Sequence, residues 1–368
     1  MIAALSGSAM VGERMSPGKG NAMEQYVGLD VSLEFTSICV VDTAGAVVWR
    51  GTVASMPEAI GAAIRARAPH VVRIGLETGQ LCTWHWHRLR ELGLPVVCID
   101  ARHAQAALSM QVNKTDPNDA HGLAQVVRVG WYKEVAVKSL GSHRLRTLLT
   151  SRAQLVNMRR DLGSKIRGLL KTFGLVVGKV GERAYEHRVR ELVAGEPGLE
   201  PAVHALLAVR DLIDRQIAAL ETRILAFAKS SDPCRRLMTI PGVGALTAVA
   251  FVATIDRPQR FARSSGVGAY LGLTPRRYQS GEVDHAGRIS KCGDGLTRTY
   301  LFEAAGTLLT RVRSWSTLKA WGARLAKRVG INKARVAVAR KLAVIMHRIW
   351  LDGTSFRWSD RQEAAAVA

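Results

Sequence analysis

Two carboxylates lie where buried strands are expected to end. Asp30 follows the apolar run YVGL, and Glu77 closes the run VVRIGLE. A second pair, Asp116 and Asp119, stands three residues apart in KTDPNDA, a spacing that places both side chains on one side of a helix start. Carboxylate oxygens are the ligands that Mg²⁺ prefers, and two such ions about 4 Å apart assist phosphoryl transfer. The four residues therefore predict a metal site for phosphoryl transfer.

Each of these carboxylates also has an ordinary structural interpretation. The two aspartates could cap the helix, and Glu77 could form a surface salt bridge. A carboxylate at the end of an otherwise apolar strand is harder to explain in this way, because burying an unpaired charge is costly. The positions of Asp30 and Glu77 therefore favour a functional site.

A hydroxyl nucleophile is the second candidate, in the Ser-, Gly- and Arg-rich segment 264–305. Ser280 stands in a QSGE turn between basic residues, where a hydroxyl could face a phosphate flanked by cations. Ser290, in GRISKCGD, is the competing hydroxyl, and His285 is a candidate proton carrier. Ser before Gly is also an ordinary turn pair, and a lone histidine is more often structural.

The net charge indicates a polyanionic partner. The 368 residues include 52 Lys and Arg against 30 Asp and Glu, a formal charge of +22. Nucleic acid is the leading partner and an anionic membrane surface is the rival. A hydrophobic content of 48% excludes a mostly disordered basic tail, because such tails lack the apolar residues of a core.

Cysteine usage and hydropathy exclude further classes. The five cysteines form no Cys-x-x-Cys pair, so neither a disulfide framework nor a zinc site is supported and a reducing compartment is expected. The uncharged run 237–255 is about as long as a membrane span, but Pro241, Gly242 and Gly244 interrupt it. We therefore expect it to be a buried segment.

The elements that must position the first carboxylates form an α/β domain. From Tyr26, three β-branched runs separated by Gly and Asp predict an antiparallel meander. The elements expected next are helix 57–67, strand 71–77, helix 84–92, strand 94–100 and helices within 101–129. This order is typical of ribonuclease H-like domains. Dinucleotide-binding folds differ, since no G-x-G-x-x-G follows the first strand here.

Two long helices are predicted to follow. Residues 138–171 carry nine Lys or Arg and one acid, with Leu and Val at helical spacing. A second helix, 201–228, has apolar positions that approximate a coiled-coil seam, namely Leu206, Leu207, Val209, Leu212, Ile213, Ile217, Leu220 and Ile224. The Gly- and charge-rich segment 174–198 is expected to be a connecting turn. The one-sided charge favours contact with nucleic acid over a merely solvated helical hairpin.

The remainder is expected to be mainly α-helical. IPGVG matches the turn of helix-hairpin-helix modules, in which glycines let backbone N–H groups approach a phosphate, although Pro-Gly-x-Gly also makes plain turns. Residues 311–350 hold eleven Lys or Arg and no acid, which gives a second cationic face. The candidate nucleic-acid-binding residues are Arg144, Arg146, Arg152, Arg159, Arg160, Lys165, Arg167, Gly242, Gly244, Arg276, Arg277, Arg288 and Lys291.

Taken together, these motifs resemble the insertion sequence 110 family of transposases. YVGLDVS, GLETG, KTDPNDA, IPGVG, YLGLTPRRYQSGE and GRISKCGD occur in the family's order, over about residues 23–350. The resemblance implies a RuvC-like domain of ribonuclease H type, a coiled coil and a C-terminal transposase domain. It implies Mg²⁺ or Mn²⁺ held by Asp30, Glu77, Asp116 and Asp119, and Ser280 as the nucleophile. It also implies a bridge RNA, encoded by the element, that pairs with donor and target DNA.

The expected organisation follows from the resemblance and the composition. We expect a disordered leader at 1–22 with translation starting at Met1 or Met23, a RuvC-like domain at 23–137, a basic helical and coiled-coil region at 138–230, a transposase domain at 231–350 and a tail at 351–368. The expected partners are donor and target DNA, the bridge RNA and further copies of the chain in a dimer or tetramer, with no membrane. The expected location is the cytoplasm, in association with the nucleoid.

Three functions remain open at this point. The leading one is a DNA recombinase that forms a phosphoserine link at Ser280. The second is a metal-dependent DNA junction nuclease that uses water, with Ser280 only structural. The third is a catalytically inactive RNA- or DNA-binding protein, against which the presence of all four carboxylates argues.

Overall fold

The computed structural model describes residues 23–109 and 115–358. The predicted disordered leader and most of the predicted tail lie outside these residues. The chain divides into two compact units, residues 1–138 and 139–368. Each unit is described by itself below.

The first unit is built on one mixed five-stranded sheet with the spatial order β3-β2-β1-β4-β5. β1 pairs antiparallel with β2 and β2 with β3, whereas β4 lies parallel to β1 and β5 parallel to β4. The strands are β1 (Gln25–Val31), β2 (Phe35–Asp42), β3 (Val47–Ala54), β4 (Val71–Glu77) and β5 (Val96–Ile99). The helices are α1 (Pro57–Arg67), α2 (Cys82–Glu91), α3 (Ala101–Leu108) and α4 (Asp116–Val129). The predicted α/β fold is confirmed, and the mixed sheet is consistent with the ribonuclease H-like arrangement.

Both faces of the central strands are buried, which explains their continuous apolar runs. Val27 and Leu29 of β1 belong to a core that also contains Ile60 of α1 and Leu89 of α2. On the opposite face the helix is α4, which packs against β1 and β2. The sheet is therefore a middle layer, and the ends of its strands are the places where polar side chains can reach solvent.

The second unit is mainly helical. Its helices are α5 (Leu140–Thr172), α6 (Glu182–Val193), α7 (Glu200–Ser230), α8 (Asp232–Leu237), α9 (Ala245–Ile255), α10 (Ser265–Tyr270), α11 (Gly295–Thr310), α12 (Thr317–Val329) and α13 (Ile331–Asp352). A two-stranded antiparallel hairpin, β6 (Pro275–Ser280) and β7 (Val283–Ile289), interrupts the helices. The predicted mainly α-helical fold did not include these strands, because their residues are polar and lack an apolar alternation.

α5 and α7 form an antiparallel pair with a heptad seam. On α7 the inward positions are Val203, Leu207, Arg210, Asp214, Ile217, Glu221, Ile224 and Ala228, spaced alternately by four and three residues. The two acids of this seam, Asp214 and Glu221, pair with arginines of α5, and Arg210 pairs with Glu182 of α6. Five residues of the predicted apolar seam lie off this stripe. One of them, Ile213, is buried, and two others, Val209 and Leu212, are about half exposed. The apolar pattern alone misplaced the seam because its polar positions are occupied by ion pairs.

The prediction of a connecting turn at 174–198 is wrong, since about half of this segment forms the helix α6. Tyr185, Val189 and Val193 repeat every four residues and pack with Val203 and Leu207 of α7. The many charged residues of α6 lie between these positions and conceal the apolar stripe in a composition count. α6 therefore closes the core at this end of the helical pair.

The uncharged run 237–255 is buried inside the second unit, as predicted. It comprises the end of α8, a turn and α9, and its side chains contact those of α11 and α13 in the main core of this unit. Among the described residues no helix is both long enough and apolar enough to cross a membrane.

Candidate active site

A cleft opens at the carboxyl ends of β1 and β4. The strands are in register with Leu29 beside Leu76, so the next residues, Asp30 and Glu77, lie side by side at the same edge of the sheet. Both side chains are half-buried and line a cleft of about 780 Å³. The turns that follow each strand, 32–35 and 78–81, form its rim. Parallel pairing of the two strands is therefore what brings the two carboxylates together.

The third carboxylate of the cleft comes from α4. Asp119 lies on the first turn of this helix and lines the same cleft. The Thr115 hydroxyl caps the helix by accepting the N–H of Asn118, so neither aspartate is the N-cap. The capping alternative considered for the aspartates is thus excluded.

A glycine permits α4 to lie this close to the sheet. A β-carbon at position 28 would stand 2.0 Å from the carbonyl oxygen of Ala120 and 2.4 Å from the amide nitrogen of Ala124. Any side chain at Gly28 would therefore push α4 away from β1. Since Asp119 directly precedes Ala120, the same contact sets its distance from Asp30.

Replacing Gly28 with alanine is expected to destabilise the first unit by about 1–3 kcal/mol, because the new methyl group collides with the backbone of α4. The matched control is Gly79→Ala, since a β-carbon at Gly79 meets no atom within 4 Å. Urea unfolding of both variants measures the difference in free energy. Equal stability of the two variants would contradict this role for Gly28.

The structure does not bring all four predicted ligands to the cleft. Asp116 is exposed on the first turn of α4 and does not line the cleft, although Asp119 does. Glu34, in the turn between β1 and β2, is an exposed carboxylate that does line it. The sequence analysis missed Glu34. Its position four residues after Asp30, in the turn that must rim the strand end, is the signal that could have revealed it.

Ser280 is the last residue of β6 and stands at the tip of the β6–β7 hairpin. It pairs with Val283 across a two-residue turn in which Gly281 has a φ of +55°. The side chain is exposed, and within 23–109 and 115–358 its hydroxyl has no hydrogen-bond partner. The predicted turn is therefore shorter than expected, and the hydroxyl is accessible to a ligand.

Alternation along the two strands sorts their side chains onto two faces. Tyr278 and its cross-strand partner His285 share the face of Ser280, with ring centroids 5.4 Å apart. On the other face, Arg277 donates two hydrogen bonds to Asp284, at 2.9 and 2.5 Å. The side-chain hydrogen bond from Arg277 lowers the pKa of Asp284. Arg277 therefore already has a carboxylate partner.

Ser290, the competing hydroxyl, lies in a different setting. It follows β7, is half-buried, and its Oγ accepts the N–H of Cys292 at 3.4 Å. Its backbone carbonyl accepts a hydrogen bond from Arg276 at 3.3 Å. The geometry favours Ser280 over Ser290 as an accessible nucleophile.

Several arginines predicted to bind nucleic acid form intramolecular pairs instead. Arg152 donates to Glu221 at 2.6 Å and Arg159 to Asp214 at 2.8 Å, both across the α5–α7 seam. In the same way Arg146 pairs with Asp294, and Arg167 donates to the carbonyl of Gly178 at 2.7 Å. Arg144, Arg160 and Lys165 are exposed, although Arg160 lies 3.7 Å from Asp161. The cationic surface of α5 is thus smaller than its sequence suggests.

The two glycines of IPGVG have different surroundings. Gly242 has a φ of +89°, and a β-carbon there would stand 2.6 Å from the carbonyl oxygen of Ala304. Close packing against α11 therefore accounts for Gly242. Gly244, at the start of α9, is exposed with open space around it. Of the two glycines, Gly244 is therefore the one whose backbone is accessible to a phosphate and whose identity is not explained by packing.

Comparison with known proteins defines the class of this fold and site. Residues 27–174 match the DEDD-type IS110 transposase family, described as "Transposase", and residues 234–320 match the family described as "Transposase IS116/IS110/IS902 family". The first match contains all four predicted carboxylates, and the second contains Ser280. The chain is thus a transposase, an enzyme that cleaves DNA and transfers its strands.

Curated relatives identify the family. The chain is similar to the transposase for insertion sequence element IS1111A of Coxiella burnetii, with 30% identity over 88% of each chain. It is 30% identical to a probable family 20 transposase of Pseudomonas aeruginosa, over 74% of this chain and 82% of that protein. A putative transposase of Sinorhizobium fredii, y4pF/y4sB, is 27% identical over 76% of this chain and 73% of the relative. The chain belongs to the IS110/IS116/IS902 family of transposases, so the resemblance stated from its motifs is confirmed.

The DEDD-type domain implies a divalent metal ion, and the cleft fits one in its chemistry. Asp30, Glu77 and Asp119 supply oxygen ligands suited to a hard cation. Among the described residues, however, no three His, Cys, Asp or Glu side chains are close enough to hold a metal ion together. Mg²⁺ commonly binds through one or two carboxylates together with substrate phosphates. The cleft is therefore better suited to an ion held partly by substrate phosphates than to an ion held only by protein ligands.

Proposed function

We propose that Asp30, Glu77, Asp116 and Asp119 bind Mg²⁺ or Mn²⁺ beside a DNA phosphate. When bound, the ion would stabilise negative charge on the transferring phosphate. The observation that carries this proposal is the convergence of carboxylates from β1, β4 and α4 on one cleft, inside the region that matches the DEDD-type family. Of the four, Asp116 is exposed on the first turn of α4 and does not line the cleft.

In this proposal Ser280 is the nucleophile. Its Oγ forms a bond to a DNA phosphorus while the phosphorus–oxygen bond to the leaving strand breaks, and the proton of the hydroxyl ends on the leaving strand's oxygen. His285, on the same hairpin face, is suited to carry this proton. Attack of the other strand's hydroxyl on the phosphoserine reverses the bonds and rejoins DNA. No external energy source is needed, because one phosphodiester replaces another.

The proposal also includes an RNA guide and an oligomer. A bridge RNA encoded by the element would select donor and target DNA by base pairing, while the protein contacts backbone and shape. The exposed cations of α5, Arg144, Arg160 and Lys165, are available for such backbone contacts. The hydroxyl and the carboxylates would act on the same phosphate, either within one chain or between two subunits of a dimer or tetramer. The location would be the cytoplasm, at the nucleoid.

The test is reconstitution with labelled donor and target DNA and the element's RNA, analysed on denaturing gels. We expect recombined DNA, together with a labelled DNA–protein adduct that survives denaturation and requires Mg²⁺ or Mn²⁺. Cleaved DNA with free 5′-phosphate ends and no adduct would favour the hydrolytic nuclease. Undiminished recombination in excess chelator would reject the metal site. Omission of the RNA should abolish site selection, and unchanged selection would remove the guide from the proposal.

A further inference from the structure

A groove runs along one side of α12 and α13, which we call the α12–α13 groove. It has two parts of about 540 and 700 Å³, and Trp321 and Lys341 line both. The first part also lies against the base of the β6–β7 hairpin, at Pro275 and Ile289, and the second extends to the segment after α13, at Phe356. The two parts are therefore neighbours, with Trp321 and Lys341 between them as shared lining.

Six cations line this groove beside a single acid of the described residues. They are Arg324, Lys333, Arg340, Lys341, Arg348 and Arg357. Asp352 is the acid in the lining, and it pairs with Arg348 at 2.7 Å. Within the described parts of the chain, Arg324, Lys333, Lys341 and Arg357 form no ion pair. This differs from α5, whose arginines meet carboxylates of α7, and a row of unneutralised cations favours a polyanion.

The cations of α13 are distributed along its length. Lys333, Lys341 and Arg348 recur on one face of α13, and 15 residues of helix span roughly 22 Å. A cationic groove of this length with aromatic side chains along it is typical of sites for single-stranded nucleic acid.

The apolar part of the groove provides a place for a base. Leu273, Ile289, Val336 and Val344 line the part nearest the hairpin, and the Trp321 ring, 37% exposed, borders it. A duplex offers only the edges of its bases, because their faces are stacked on neighbouring bases. A base face can reach Trp321 only when the strand is unpaired.

We propose that the α12–α13 groove binds single-stranded DNA, with one base stacked on Trp321 and the neighbouring phosphates on Lys333 and Lys341. The activity of the family supplies such a strand, since cleavage and transfer separate paired strands at the exchange point. The proposal depends on this activity and on the lining of the groove, and not on the role of Ser280. It assigns to the second unit a DNA site distinct from the candidate nucleophile.

The first test compares binding of a labelled 12-nucleotide single-stranded DNA to the full-length protein and its variants. Trp321→Ala is expected to weaken binding about 5- to 150-fold, the range found for removal of one base-stacking aromatic residue. The matched control is Trp315→Ala, since Trp315 is 57% exposed and lines neither part of the groove. Trp321→Leu, which keeps apolar volume without a π face, is expected to lose affinity as well, with an unchanged melting temperature.

The outcomes separate the occupants of the groove. Equal affinities of the Trp321 and Trp315 variants would overturn the proposal, as would an equal loss for duplex DNA of the same sequence. Tighter, Trp321-dependent binding of RNA of that sequence would assign the groove to RNA and reject DNA. For charge, Lys341→Gln should reduce the slope of log affinity against log salt by about 0.7. The control Lys327→Gln should not, since Lys327 is exposed on α12 but does not line the groove. A slope unchanged by Lys341→Gln would show that Lys341 does not contact a phosphate.

Discussion

Replacement of Ser280 by alanine is expected to abolish both the covalent DNA–protein adduct and strand transfer. The loss should be on the order of 10⁴-fold or more, because no other group replaces a missing nucleophile. DNA binding should remain within a few-fold of that of the unchanged protein, since the Ser280 hydroxyl is exposed and makes no contact within the described residues. The adduct is measured on denaturing gels and binding is measured separately.

Ser290→Ala is the matched control for this prediction. Ser290 lies in the same region, and its Oγ accepts a backbone N–H rather than facing solvent alone. We expect the Ser290 variant to form the adduct at a rate close to that of the unchanged protein. If the Ser280 variant still forms the adduct and the Ser290 variant does not, Ser290 and not Ser280 is the nucleophile.

The second large effect is expected from the carboxylates of the cleft. Asp30→Asn and Glu77→Gln each remove the charge of a proposed metal ligand at the edge of the sheet while preserving side-chain size. We expect cleavage to fall by about 10³-fold or more, with the sheet still folded, because charge stabilisation at the phosphate is lost. Cleavage rates across a Mg²⁺ titration measure the effect, and more metal should restore only part of the rate.

Glu34→Gln is the control for the cleft as a whole. Glu34 is exposed and lines the same cleft, so the change removes one negative charge from nearly the same place. A small change in rate for Glu34→Gln, beside large losses for Asp30→Asn and Glu77→Gln, supports specific ligands. Equal losses for all three would indicate that the general negative charge of the cleft matters, and would contradict the assignment. Asp116→Asn tests the fourth predicted ligand, and full activity would remove it from the set.

The sequence predicted the first unit well because local and global signals agree there. β-branched runs separated by turn residues define the strands, and strand ends in a sheet with parallel β1 and β4 bring Asp30 and Glu77 to one edge. The position of Asp119 followed from the helix start predicted within KTDPNDA. The exposed position of Asp116 could not be predicted in this way. A three-residue spacing places two side chains on one side of a helix, but it does not determine which of them reaches the cleft.

The second unit was predicted less completely, for reasons that lie in its charges. A sequence shows that α5 is basic but not that Arg152 and Arg159 meet acids of α7 some 55 to 69 residues away. For the same reason the polar seam of α7 could not be predicted from the sequence. The apolar stripe of α6 was missed because charged residues lie between its members. The groove cations that form no ion pair within residues 23–109 and 115–358 could be distinguished from paired ones only from the positions of the acids in this part of the chain.

The most direct test of the central claim is to locate the DNA on the protein. After adduct formation and nuclease digestion, trypsin cleavage at Arg277 and Arg288 releases the peptide YQSGEVDHAGR, in which Ser280 is the only serine. We predict a residual nucleotide on this peptide, assigned to Ser280 by fragmentation in the mass spectrometer. A nucleotide on Tyr278 or Ser290, or cleaved DNA with no modified peptide at all, would contradict the account.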